Sequence, residues 1–91
     1  MAKIVLIAQV EDSARWEASY RTHADLLKAL GAASSSFNTG ADNKVVIYTE
    51  VDDVDFFMAG MASESTRQAM SVDGVIVDSV KMYELDKEFI Y

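Results

Sequence analysis

The chain contains no cysteine and no proline, four glycines, one tryptophan and one histidine in 91 residues, and eight lysines and arginines against fifteen aspartates and glutamates. Each shortage excludes something. Without cysteine there is neither a disulfide framework nor a thiolate zinc site. Without proline, turns and helix ends fall to short polar side chains and to Gly31, Gly40, Gly60 and Gly74, the residues that take a positive φ without steric cost. A formal net charge of −7 repels a phosphate backbone from most of the surface, which argues against nucleic-acid binding. A lone histidine permits no H-x3-H or H-E-x2-H pattern, and the acidic run VDDVD lacks the glycine and closing glutamate of a calcium loop, so no metal site is expected. Glycine-rich phosphate loops, nucleophile elbows and Cys/His pairs are also missing, which leaves hydrolase and kinase chemistry without support. The apolar start KIVLIAQV is interrupted by Gln9, is too short to span a bilayer and has no cleavage pattern after it. A cytoplasmic protein without membrane contact is therefore expected.

What is present fits a folded domain. About half of the residues are apolar (51%) and a quarter charged (25%), outside the range of disordered chains. Residues 1–91 are expected to make one domain, which at this size buries only roughly 60–65% of the surface its unfolded form exposes and gains from burial against a partner.

Residues 3–10, KIVLIAQV, are rich in β-branched residues and apolar on both faces, as in a strand covered from two sides. Asp12 or Ser13 can cap a helix whose positions Trp16, Tyr20, His23, Leu27 and Leu30 fall within an arc of about 80° at 100° per residue. These five share one inward stripe, while Glu17–Arg21 and Arg21–Asp25 form i, i+4 pairs outside it. Gly31 closes that helix. AASSSFNT at 32–39 reads as a weak strand, GADN at 40–43 as a turn and KVVIYTEV at 44–51 as a strong strand. A second helix starts near Asp52 or Asp53, with a division expected at Gly60 or Ser63, and stops at SVDG, 71–74. VIVDSVKMYEL at 75–85 is the last strand, and its tail returns to aromatic residues at Phe89 and Tyr91.

The order β-α-β-β-α-β predicts an α+β, ferredoxin-like fold: a four-stranded antiparallel sheet with the helices on one face. The other face has no cover within the chain, yet the strands place apolar residues on both faces: Ile4, Leu6 and Ala8 against Val5 and Ile7, Val45 and Ile47 against Val46 and Tyr48, and Val75 and Val77 against Ile76, Val80 and Met82. An uncovered apolar sheet face predicts a homodimer that packs through it.

The pattern W-x3-Y-x2-H at Trp16, Tyr20 and His23, Gly31 after the first helix, Asp52 and Asp53 after the third strand, and R-x2-M-x3-G at Arg67, Met70 and Gly74 resemble the dimeric α/β-barrel superfamily. Within it they are similar to small, mostly uncharacterised barrels near antibiotic-biosynthesis monooxygenases and polyketide cyclases. The resemblance covers nearly the whole chain. It implies a cofactor-independent monooxygenase- or cyclase-like activity on a small aromatic or polyketide-like molecule, or else a non-catalytic dimer that binds a small hydrophobic ligand or is structural. Where some relatives carry a basic residue on the inner side of the first helix this chain has Leu26 and Leu27, and where they often have AGV it reads DGV.

The candidate site follows from the stripe. His23 serves as a proton donor or acceptor near neutral pH, as a ligand contact, or as a buried histidine bonded to backbone or a carboxylate. Trp16 and Tyr20 suit a ligand pocket wall as well as a core. Met58, Met61, Met70 and Met82 are expected to fill core gaps, Arg67 to pair with Glu64 at the surface, and Asp78 to need a partner or an edge position within its apolar strand.

Overall fold

The computed structural model describes residues 2–87, 89 and 90; Tyr91, the end of the aromatic tail, lies outside the described residues. Four strands, β1 (Ala2–Gln9), β2 (Ala32–Thr39), β3 (Lys44–Val51) and β4 (Lys81–Leu85), form one antiparallel sheet in the order β2-β3-β1-β4. Between β1 and β2 lie the helices α1 (Ser13–Tyr20) and α2 (Ala24–Ala29); between β3 and β4 lie α3 (Val54–Met61) and α4 (Glu64–Val72). The ferredoxin-like arrangement is therefore present, with each helical connection divided in two.

The period-two alternation of the strands sorts the two sheet faces. Ile4, Leu6 and Ala8 of β1 and Val45 and Val51 of β3 turn to the helices and are buried with Trp16, Phe57 and Met61. The four methionines named above join this layer: Met61 is buried, and Met58, Met70 and Met82 pack against the cluster. On the reverse face Val5 lies between Tyr48 of β3 and Tyr83 of β4, Ile7 lies opposite Val46, and Leu85 pairs with Lys3. Val5 is covered by its neighbours, whereas Tyr48 and Tyr83 stay 46% and 50% exposed.

Polar side chains supply the helix starts that proline would otherwise mark. Asp12 accepts from the amides of Ala14 and Arg15, Asp53 from Phe56 and Ser63 from Thr66, which satisfies amides that have no partner inside their helix. Gly31 ends α2 at φ +92°, a left-handed conformation that a side chain would strain.

Several sequence expectations change. The continuous helix through residue 30 breaks at Arg21–Thr22–His23. There Thr22 Oγ1 donates to the Ser19 carbonyl at 2.7 Å, and the Thr22 and His23 amides close back onto Ser19 and Tyr20 at 3.0 Å each. A β-branched hydroxyl residue that competes for backbone acceptors ends a helix without proline or glycine. Glu17–Arg21 survives at 3.9 Å, but Asp25 now stands on a separate helix. The last strand is also shorter than 75–85: Val75 makes an isolated bridge with Val10, Val77–Ser79 is a 3₁₀ turn, and pairing with β1 starts at Lys81. The hydroxyl of Ser79 takes part in this, accepting from the Gln9 amide at 2.9 Å and donating to the Ile76 carbonyl at 2.6 Å. Asp78 is consequently exposed on the turn and meets no burial penalty. Arg67 is exposed on α4, where Glu64 accepts instead from Gln68 at 3.5 Å.

Candidate functional site

A cavity of about 70 Å³ lies between the helix layer and the sheet. Its floor is the helix-facing row of β1 and β3, including Leu6, Val45 and Thr49, and Phe57 and Met61 of α3 close one side. Trp16, Tyr20, His23, Leu27 and Leu30 all line it, so the five-residue stripe keeps a common direction across the break at 21–23. The break changes what His23 is: a residue at the start of α2, at the rim of the cavity, with its side chain 35% exposed. Trp16, by contrast, is buried at 3%.

The aromatic wall is a three-ring cluster. Trp16 stacks on Tyr20 with centroids 4.9 Å apart, and Phe37 of β2 meets both rings edge-on at 5.3 Å. Offset stacks and edge contacts of this kind are the preferred arrangements of aromatic quadrupoles. The Arg21 guanidinium lies 5.5 Å from the Phe37 centroid. Phe37 was not apparent as a site residue from sequence, because the serine-rich segment around it carries no apolar alternation to show which face it takes.

Polar groups sit at two places on this apolar lining. Toward β2 and β3, the Tyr20 hydroxyl is 2.7 Å from Ser35 Oγ, which is 3.4 Å from Thr49 Oγ1. At the other, His23 Nδ1 is 3.0 Å from Asp73 Oδ2, at the end of α4. Asp73 was read in sequence as part of the stop SVDG and of the DGV that replaces AGV, with no partner assigned; an aspartate before glycine is the ordinary signature of a turn. Thr66, also on the lining, donates to the Gly60 carbonyl at 2.8 Å and is thereby used in joining α3 to α4. Neither lysine nor arginine occurs among the described lining residues, and no group of three or more His, Asp or Glu able to hold a metal occurs among the described residues.

Burial pushes the Tyr20 hydroxyl above the usual tyrosine value of 10.0, and the bond to Ser35 opposes this only in part. Tyr20 is thus protonated, and able to donate, throughout the neutral range. A phenol held protonated by the fold contributes stability that is complete below pH 10.0 and falls as pH rises through the higher folded value. Wild type should accordingly lose thermal stability above that pH more steeply than Tyr20→Phe, as read from melting temperatures across an alkaline series; parallel curves would refute the assignment.

No protein-family model matches the chain, and no curated protein matches it in sequence. Solved structures do match. A crystal structure of an antibiotic biosynthesis monooxygenase superposes with a TM-score of 0.69 at 12% identity, over 97% of this chain and 99% of the other. The fold is that of the antibiotic biosynthesis monooxygenases. SnoaB, a cofactor-independent oxygenase from Streptomyces nogalater, gives a TM-score of 0.70 at 14% identity over 98% and 94% of the two chains. The monooxygenase ActVA-Orf6 of Streptomyces coelicolor, solved with the ligand nanaomycin D, gives 0.67 at 13% identity over 99% and 89%. At these identities the monooxygenase likeness is one of fold alone. Among the described residues no helix is long and apolar enough to cross a membrane.

Proposed function

We propose that this chain is a single-domain, cytoplasmic homodimer whose cavity takes a small aromatic or polyketide-like molecule and processes it without a cofactor, with Trp16 and Tyr20 as walls and His23 as the proton-transfer group. The observation that carries the reading is one apolar cavity on which an aromatic stack and a histidine–carboxylate pair converge. The oxygenase neighbours agree with it. Oxygenation and cyclisation begin with the same step, loss of a proton from a carbon made acidic by an adjoining carbonyl or ring. In the oxygenase branch dioxygen is the oxidant and the substrate the reductant, a ring CH2 and O2 giving C=O and water. In the cyclase branch the carbanion attacks a carbonyl of the same molecule, and water leaves.

The cavity volume favours a second reading. About 70 Å³ is roughly half of the ~150 Å³ apolar cavity known to admit benzene, so a ring enters only if a wall yields. α2 is a short wall that could move: it has six residues, no side-chain cap at His23 and an exposed Leu26. If it stays closed, the protein is a non-catalytic dimer with a packed core. Titration with nanaomycin D separates the readings, because Trp16 is the only tryptophan. Saturable quenching of its fluorescence supports a ligand site, and oxygen uptake or a changed product spectrum with reduced hydroxyaromatic substrates supports the enzyme. No quenching leaves the non-catalytic reading.

Gly60 offers a sharper control. A Cβ there would run into Leu30 Cδ2, the far end of a flexible side chain whose space for retreat is the cavity it lines. Gly60→Ala also gains up to about 1 kcal/mol of helix propensity. Its melting temperature is expected to stay near wild type while the nanaomycin D titration weakens severalfold; equal titrations would show that Leu30 has room elsewhere.

The open face of the sheet is the proposed dimer interface. It presents Ile7, Val46, Tyr48, Tyr83 and Leu85 on contiguous strands, and apolar surface of that extent is rarely left to water.

A further inference from the structure

We infer that Asp73 is a positioning residue for His23, holding the imidazole with its proton on Nδ1 and its lone pair on Nε2, and that this pair makes the cavity a site for neutral carbon acids and phenols rather than for molecules bearing a carboxylate or phosphate. The inference rests on the proposed use of the cavity and adds to it the role of Asp73 and the charge of the substrate. Neither was visible in the sequence, where the two residues stand fifty positions apart and the acidic one reads as a turn.

Three observations carry it. Asp73 Oδ2 is within hydrogen-bonding distance of Nδ1, at 3.0 Å, and both side chains line the cavity. A carboxylate at that nitrogen accepts a hydrogen bond from its N–H, which leaves the opposite nitrogen of the neutral ring unprotonated and orients the ring. The Asp73 side chain is only 16% exposed, so its charge is screened less than that of a surface aspartate. Finally, the described lining contains no lysine or arginine; Leu26 and Leu27 are part of it instead. An anionic ligand would meet the Asp73 carboxyl group and no lysine or arginine.

The proton transfer balances within the site. A C–H or O–H bond of the substrate breaks, an N–H bond forms at Nε2, and the electron pair stays on the substrate. The imidazolium so formed faces Asp73 across 3.0 Å, which favours its charge by an opposite-charge contact. A substrate that starts neutral thus generates its anion beside a charge-balanced pair, whereas one that starts anionic places a second like charge in an apolar enclosure.

A single histidine and a single tryptophan make the test direct, because untagged, uniformly ¹⁵N-labelled protein gives one imidazole and one indole set without assignment. The chemical shifts of the two imidazole nitrogens, read on the alkaline side where they no longer change with pH, report the tautomer of the neutral ring. Wild type is expected to show a protonated Nδ1 and an unprotonated Nε2. Asp73→Ala should release the ring toward the Nε2–H form that a free histidine side chain prefers, and Asp73→Asn, which keeps the shape if the alanine variant folds poorly, should do so by offering its amide to Nδ1. Wild type in the Nε2–H form, or two variants that leave the ratio unchanged, overturns the role of Asp73. In the same samples the Trp16 indole N–H reports ligands: phenol should bind about tenfold or more tightly than benzoate, since like-charge burial disfavours the carboxylate. Comparable affinity for benzoate overturns the substrate class. If neither probe moves the indole signal, both the substrate class and the proposed cavity function fall, while the tautomer result still decides the pairing.

Discussion

Trp16→Ala should lower the stability of the domain by about 3–5 kcal/mol, the usual cost of removing a buried tryptophan. Trp16 is 3% exposed, belongs to the main core cluster, and makes ring contacts with both Tyr20 and Phe37. Its loss therefore removes burial, opens a large void against α1 and deletes two ring contacts together. For a domain of this size, where each kcal/mol moves the midpoint by roughly 4–8 °C, the melting temperature should fall by more than about 12 °C. Circular dichroism is the suitable probe, since the variant has no tryptophan fluorescence. Trp16→Phe should recover more than half of the loss, because a smaller ring can still meet Tyr20 and Phe37. A midpoint for Trp16→Ala within a few degrees of wild type would show that the cavity collapses without cost, and with it the idea of a rigid aromatic wall.

Val46→Asp is expected to convert the protein from dimer to monomer. Val46 lies on the open sheet face, across from Ile7 on β1 and Asn38 on β2. A dimer through this face would bury on the order of 800 Å² per partner with Val46 inside it, where an unpaired carboxylate is strongly unfavourable. Within one protomer the side chain remains accessible to water, so the fold should survive and the far-ultraviolet spectrum should change little. Sedimentation at micromolar concentration should give a species of twice the chain mass for wild type and one of chain mass for the variant. The wild-type melting temperature should also rise with protein concentration, and that of the variant should not. Wild type sedimenting as a monomer under these conditions would refute the interface. Val5 is the poorer test site: it is already enclosed by Tyr48 and Tyr83, and aspartate there would damage the protomer itself.

The sequence by itself determined the strand and helix order, because it is encoded in local periodicity and capping. β3 at 44–51 occurs where β-branched residues and the flanking turn place it, β2 at 32–39 lies between Gly31 and the turn at 40–43, and Asp12, Asp53 and Ser63 begin helices. The inward stripe of Trp16, Tyr20, His23, Leu27 and Leu30 was legible for the same reason, since 3.6-residue spacing fixes direction before any partner is known. Tertiary structure decided what the stripe could not contain. The Thr22 hydroxyl turning back on Ser19, which moves His23 from mid-helix to a rim, is a competition between side-chain and backbone hydrogen bonds that no periodicity records. Ser79 bonding to Gln9 across 70 positions trimmed the last strand. Phe37 joined the aromatic cluster because β2 pairs with β3 in one register, Phe37 opposite Ile47. Above all, Asp73 reaches His23 only because α4 ends beside the start of α2 once both helical connections lie on the same sheet face. Local sequence sets which way a side chain points; which distant group it meets depends on long-range packing, and in this protein that packing supplied the carboxylate partner of its one histidine.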